Sequence, residues 1–313
     1  MHSKLVLKYS LLTTGALVVG IVMIFALSSA GKSALRRGTA RHGSARQGSG
    51  IVSLAPSITE TLFALGLGAK VTGVTQYCDF PPEAARCEKI GGFYDPNYEA
   101  ILLLRPELVV SLVEAGETNR NLTGAGLRVL EVNHQTIDGI LESLGAIGKV
   151  CGAQQRAGEL LAAMNARIER VKRKSAGRRC WRVIVSIGNN DGSSSRKEVR
   201  IAGKDNFYDA MLAAAGCTNA YQGGAVRYPT VTTEGMISLD PEVIIDIVDD
   251  VSRFPGGCDE ILAEWLKLQH VDAVKNGRVH VLAGNHLMRP GPRVVQTLED
   301  IAKALHPEAD WEN

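Results

Sequence analysis

Two stretches of this chain, 135 residues apart, share one layout, and that duplication restricts the possible folds more than any single motif does. In the first, Asn97-Tyr98-Glu99-Ala100-Ile101 leads through Arg105-Pro106-Glu107 into the apolar run Leu108–Leu112. In the second, Thr232-Thr233-Glu234-Gly235-Met236 leads through Asp240-Pro241-Glu242 into Val243–Ile247. Glu99 thus matches Glu234, Pro106 matches Pro241, and Glu107 matches Glu242. Each stretch reads as a helix closed by a Pro turn and followed by a strand, since the residue before proline is pushed out of the α region. A later echo pairs Gly126-Leu127-Arg128-Val129 with Gly277-Arg278-Val279-His280.

Around these copies, short apolar runs alternate with helical stretches, the signature of an α/β fold. Candidate strands are Ile51–Leu54, Val71–Thr75, Leu108–Leu112, Leu127–Val132, Arg182–Ile187, Glu242–Val248 and Arg278–Leu282. Ser57 with Glu60 reads as a capping box that opens a helix ending at Gly66, and Asn97 caps another. From Thr136 to Ser175 no strand pattern occurs. Instead Leu160, Met164, Ile168 and Val171 form one apolar stripe on a helix running from about Ala153 to Ser175. The predicted architecture is two pseudo-symmetric α/β lobes, 51–138 and 179–313, joined by one long linker helix in the region 139–178. A cleft between the lobes would be the ligand site, since pockets favour such interfaces. One stiff helix would also hinge less than flexible strands.

Residues 1–30 carry a basic start (Lys4, Lys8), an uncharged run from Leu11 to Leu27, and then Ser28-Ser29-Ala30. This fits either a cleaved signal peptide or an uncleaved membrane anchor, and so a periplasmic or otherwise extracytoplasmic chain. Five basic residues follow within 31–50, a Gly- and Ser-rich stretch read as a flexible tether. No Cys follows the apolar run, so the usual lipoprotein signal is missing. A formal net charge of +2 across 313 residues gives no reason to expect nucleic-acid binding. Among the six cysteines, Cys78 and Cys87 bracket the Pro81-Pro82 turn and form the one local disulfide candidate; buried free thiols are the alternative. Cys151 and Cys180 lie at opposite ends of a helix about 30 Å long, too far apart to bridge. Cys217 with Cys258 is open.

Catalytic signatures are missing: there is no His-Glu-x-x-His, no nucleophile elbow and no phosphate-cradling Gly loop after a strand. No catalytic residue, metal site or cofactor is therefore expected, and a membrane-anchored hydrolase or metal enzyme is the disfavoured alternative. His134 and His286 each follow a candidate strand and are the histidines that could face a cleft. Aromatic residues make up only 5% of the chain, yet Tyr77, Phe80, Phe93, Tyr94 and Tyr98 crowd one stretch, with Tyr221 and Tyr228 in the second half. Aromatic side chains make broad, rigid walls that suit a large flat ligand.

Several runs, taken in order, resemble the helical-backbone class of periplasmic binding proteins of ABC importers. They are Ser53–Glu60, Val74–Ala84, Gly91–Asn97, the Glu99–Val110 unit, Ala202-Gly203-Lys204-Asp205 and Val231-Thr232-Thr233-Glu234. The resemblance covers Ile51 to His306, and Tyr77-Cys78-Asp79-Phe80-Pro81-Pro82-Glu83-Ala84 is most similar to cobalamin receptors. It implies a monomeric receptor that delivers a corrinoid, cobalamin or cobinamide, to an ABC permease dimer. Ferric siderophore and haem are the alternative cargoes. Membrane contact would come through the permease and, for an uncleaved N-terminus, through an anchor. By the same resemblance Tyr77, Tyr94, Tyr228 and Arg289 would contact ligand, and Glu99 and Glu234 would dock onto arginines of the permease.

Overall fold

A computed structural model of the protein describes residues 48, 50–187, 198–224 and 226–312. The apolar segment 1–30 and, apart from residues 48 and 50, the basic stretch 31–50 lie outside the described residues.

The first lobe is built on five parallel strands, β1 (Ile51–Ser53), β2 (Val71–Val74), β3 (Glu88–Lys89), β4 (Leu108–Leu112) and β5 (Val129–Val132), ordered β3-β2-β1-β4-β5. The crossovers carry α1 (Pro56–Ala64), α2 (Tyr98–Leu104) and α3 (Gly116–Gly124). Helices on both faces bury the central strands completely, which is why Ile51–Ser53 and Leu108–Val110 read as unbroken apolar runs rather than alternating ones. The second lobe repeats the scheme with β6 (Arg182–Ser186), β8 (Thr218–Asn219), β10 (Val243–Val248) and β11 (Val279–Ala283), in the parallel order β11-β10-β6-β8. An antiparallel ribbon of β7 (Glu198–Arg200) and β9 (Thr230–Thr232) is added beside it. Its helices are α6 (Phe207–Ala214), α7 (Thr233–Leu239), α8 (Gly257–Trp265), α9 (Asp272–Lys275) and α10 (Val294–Leu305).

The duplication holds at atomic level. Helices α2 and α7 begin and end 135 residues apart, as do the starts of β4 and β10. The Asn97 side chain accepts from the Ala100 amide at 3.0 Å, and its counterpart Thr232 accepts from Gly235 at 3.2 Å. Both helices stop on a left-handed residue, Arg105 (φ 45°) and Asp240 (φ 39°), directly before the matched prolines.

The strandless segment resolves into two helices, α4 (Ile137–Cys151) and α5 (Gln154–Ser175), separated by Gly152 in the left-handed region (φ 74°). Helix α4 packs on β5 and so extends the first lobe, which leaves α5 as the linker. At 22 residues α5 is about 33 Å long. Its start is tied to the first lobe by Arg156, which donates to the Ala64 carbonyl at 3.2 Å. Further along, Arg167 and Arg170 grip Glu299 of α10 at 2.7 and 2.8 Å. Met164, Ile168 and Val171 of the predicted stripe are buried, and Leu160 is half-buried.

Two expectations are corrected. All six cysteines are free thiols, so Cys78 and Cys87 form no disulfide. Cys78 Sγ instead meets the hydroxyls of Thr59 and Thr75, each at 3.1 Å, while Cys87 donates to the Val71 carbonyl at 3.5 Å. The Ser57–Glu60 capping box also does not form. Helix α1 starts at Pro56 with no side-chain cap, because both residues have partners elsewhere.

Candidate functional site at the lobe boundary

In open parallel sheets the crevice for ligands lies beyond the carboxyl ends of the strands, where the strand order reverses. Here the first sheet reverses between β1 and β4 and the second between β6 and β10. Segments that follow the carboxyl ends of β1 and β2 in the first sheet and of β11 in the second meet across the lobes. Glu60, on the helix after β1, forms a two-pronged pair with Arg293 at 2.8 and 2.6 Å. Asp79, on the loop after β2, is held by both terminal nitrogens of Arg289, with Nη2 to Oδ2 at 3.0 Å.

The positions of these arginines follow from local packing. A 3-10 turn over Asn285–Met288 follows β11, and buried Tyr208 of α6 donates its hydroxyl to the Leu287 carbonyl at 2.7 Å, fixing the turn. Gly291 then passes so close to α1 that an added Cβ would stand 3.0 Å from the Ser57 carbonyl. Arg289 and Arg293 thus flank a Pro-Gly-Pro bend pressed onto the other lobe. The Glu60 side chain is only 2% exposed and that of Arg293 18%, so this is a buried pair. Removing one partner of such a pair commonly costs about 3–5 kcal/mol. The Arg293 guanidinium also lies 3.9 Å from the Phe80 ring centroid, a cation–π contact beside a cavity of about 380 Å³ lined by Phe63, Phe80, Pro81 and Pro292. A second cavity of about 580 Å³ lies between α4, α5 and α6, with Asp138, Asp205 and Asp209 on its walls.

Of the predicted aromatic residues, Tyr77 and Tyr94 follow strand ends of the first sheet. Tyr77 follows β2 and is 58% exposed; Tyr94 follows β3 and is 92% exposed, braced edge-on by Phe93 at 4.7 Å. The Tyr94 loop is closed by a bridge between Gly91 and Pro96, with Gly91 in the left-handed region (φ 89°). Tyr228 is half-buried on the ribbon leading into β9, whose preceding residue is clamped by bonds from Gly203 and Asn206 to the Arg227 carbonyl. Burial pushes its phenol up to about 12; Arg227 opposes this, and the Glu114 carboxylate beyond the end of β4 adds to it.

His134, after β5, is 2% exposed; its Nδ1 lies 2.8 Å from the Ser57 hydroxyl and its Nε2 meets no polar atom. Burial lowers its pKa to about 4. The folded chain therefore resists protonation that the unfolded chain accepts near pH 6.5, and stability falls as pH drops from about 6.5 towards 4. The largest possible loss is about 3 kcal/mol. Denaturant unfolding at pH 7 and pH 5 should show this slope, and His134→Gln should flatten it. An equal slope in both proteins would place the proton uptake elsewhere, for instance at His280, which burial also lowers. His286 binds Asp300 of α10 at 2.9 Å, a contact within the second lobe.

Glu99 and Glu234 belong to none of these ion pairs; both are exposed in the first turns of α2 and α7. The Glu234 carboxyl is held below the usual range first by its own backbone N–H and then by Thr232. Each has an exposed aliphatic neighbour one turn on, Leu102 and Ile237, again 135 residues apart, and Leu103 beside the first is 82% exposed. Among the described residues no group of three His, Cys, Asp or Glu could hold a metal ion. Likewise no helix there is long and apolar enough to cross a membrane. Sequence reasoning missed Asp79 and Arg293 and misassigned Ser57 and Glu60. The available signal was the symmetric Arg289-Pro290-Gly291-Pro292-Arg293 run, two cations around a bend that cannot be helical.

Two lobes of parallel sheet, bridged by one helix and meeting at their strand ends, define the class of two-lobed ligand receptors. Residues 51–285 match the periplasmic binding protein family, and the chain belongs to it. An uncharacterized ABC transporter substrate-binding lipoprotein of Bacillus subtilis is 31% identical over 271 residues, covering 82% of this chain and 80% of that protein. A cobalamin-binding protein of Halobacterium salinarum is 29% identical over 266 residues, covering 82% and 69%. The crystal structure of a periplasmic heme-binding protein of Pseudomonas aeruginosa superposes with a TM-score of 0.70 at 25% identity, covering 84% and 94%.

Proposed function

We propose that this chain is the extracytoplasmic receptor of an ABC importer and that its cargo is a corrinoid, cobalamin or cobinamide. The observation that carries the reading is Tyr94, a large aromatic side chain held 92% exposed on a braced loop at the strand ends. Exposed aromatic rings of this kind cost little entropy to order and offer broad faces to a flat macrocycle. Tyr77 and Tyr228 extend that surface on the two lobes, and Arg289 adds donors at its edge. The similarity to a cobalamin-binding relative supports the same cargo. Haem would take an axial donor from the protein, which an exposed tyrosine can supply, whereas cobalamin carries its own lower ligand, so direct titration separates the two cargoes.

In this reading Glu99 and Glu234 are docking posts for the two subunits of a permease dimer. Their support is their repetition at one position of each lobe, each beside an exposed aliphatic side chain. Residues 1–30 would export or anchor the chain. Calorimetric titration with cyanocobalamin, cobinamide, haemin and a ferric hydroxamate should give tight binding for a corrinoid alone. Tight haemin or ferric hydroxamate binding without a corrinoid response would overturn the assignment.

A further inference from the structure

We propose that Asp79 is a specificity-determining residue: by occupying Arg289 it disfavours cargo that presents carboxylates. The inference rests on the lobe boundary being the cargo site. Four charged side chains meet there and pair off completely, Glu60 with Arg293 and Asp79 with Arg289. The first pair is buried and fixed, with side-chain exposures of 2% and 18%. The second is asymmetric: Arg289 is 19% exposed, whereas Asp79 is 58% exposed and reaches in from a loop. Among these four groups, then, the boundary presents no unpaired cation, although it contains two arginines.

A ligand carboxylate can reach Arg289 only by displacing Asp79, which leaves two carboxylates side by side, or by sharing the guanidinium with it. Like charges brought together at a partly desolvated site are costly. A neutral amide faces no such conflict. Asp79 takes one hydrogen from each terminal nitrogen, and a guanidinium has five N–H donors, so donors remain for a carbonyl oxygen. The amide-fringed rim of a corrinoid fits this arrangement, and the two propionates of haem do not.

Asp79→Asn keeps the shape and removes the charge. Because the side chain is mostly exposed, the variant should fold, which its melting temperature will verify. Titration of both proteins with haemin and with cyanocobalamin should show haemin binding about tenfold tighter in Asp79→Asn, with cyanocobalamin changed less than threefold. Equal weakening of both ligands would mean that the pair only fastens the lobes, and the proposal falls. No shift for haemin, or no haemin binding in either protein, overturns it as well. If wild type binds no corrinoid but haemin tightens as stated, the corrinoid reading fails and the role of Asp79 stands.

Discussion

Replacing Glu99 and Glu234 together by alanine is expected to abolish importer-dependent uptake while ligand affinity stays within twofold of wild type. Both side chains are exposed and belong to the first turns of α2 and α7 rather than to the loops that carry Tyr94 and Tyr228, so neither ligand contacts nor core packing should change. Their local role is to favour their own helix starts, a small effect that solvent screens at exposed positions. Glu234 has this role visibly, since its carboxyl folds back on its own amide and Thr232. A helix-start effect of that size would lower the melting temperature by a few degrees at most. Docking is a different matter. A carboxylate–arginine pair desolvated at an interface can be worth a few kcal/mol, and two such pairs multiply. Either single variant should therefore retain partial uptake, and the double variant none. Unchanged uptake with a lowered melting temperature would identify both glutamates as helix-start residues and nothing more.

The parts of the fold legible in the sequence were those governed by local chemistry. Buried parallel strands show as apolar runs, so Leu108–Leu112 and Val243–Val248 were found almost to the residue. Asn97 caps its helix as its residue type suggests, and proline closes both duplicated helices. Short edge elements escaped, because two residues such as Glu88-Lys89 or Thr218-Asn219 are strands only by virtue of their neighbours. Helix α4 escaped too, although α5 was expected from about Ala153 to Ser175, within a residue of its start. One glycine between two helical patterns does not announce a chain reversal until α4 and α5 pack side by side.

The site was legible in a more uneven way. Exposed aromatic residues stood out against a chain poor in them, but the ion pairs that organise the boundary span more than 200 residues, as Glu60–Arg293 and Asp79–Arg289 do. Nothing local distinguishes Glu60 from a capping glutamate, since Ser57 precedes it at the right spacing. The tertiary partners decide: His134 takes the Ser57 hydroxyl and Arg293 takes Glu60, so the helix begins without its cap. The same holds for Cys78, where nearness to Cys87 in sequence gave way to two threonine hydroxyls.

The central claim is that cargo binds against the aromatic loops at the strand ends, and Tyr94→Ala addresses it most directly. Tyr94 is 92% exposed and among the described residues its ring meets that of Phe93 alone, so its loss should leave the melting temperature unchanged. As an aromatic anchor against a flat ligand it should contribute at least about 2 kcal/mol, close to thirtyfold in affinity. Tyr228→Ala should act in the same direction from the other lobe, with some loss of stability because that ring is half-buried. Calorimetric titration of cyanocobalamin into wild type and Tyr94→Ala, with melting curves on both, is the decisive measurement. A loss of about thirtyfold at unchanged melting temperature is the predicted result, and wild-type affinity in Tyr94→Ala would contradict the account.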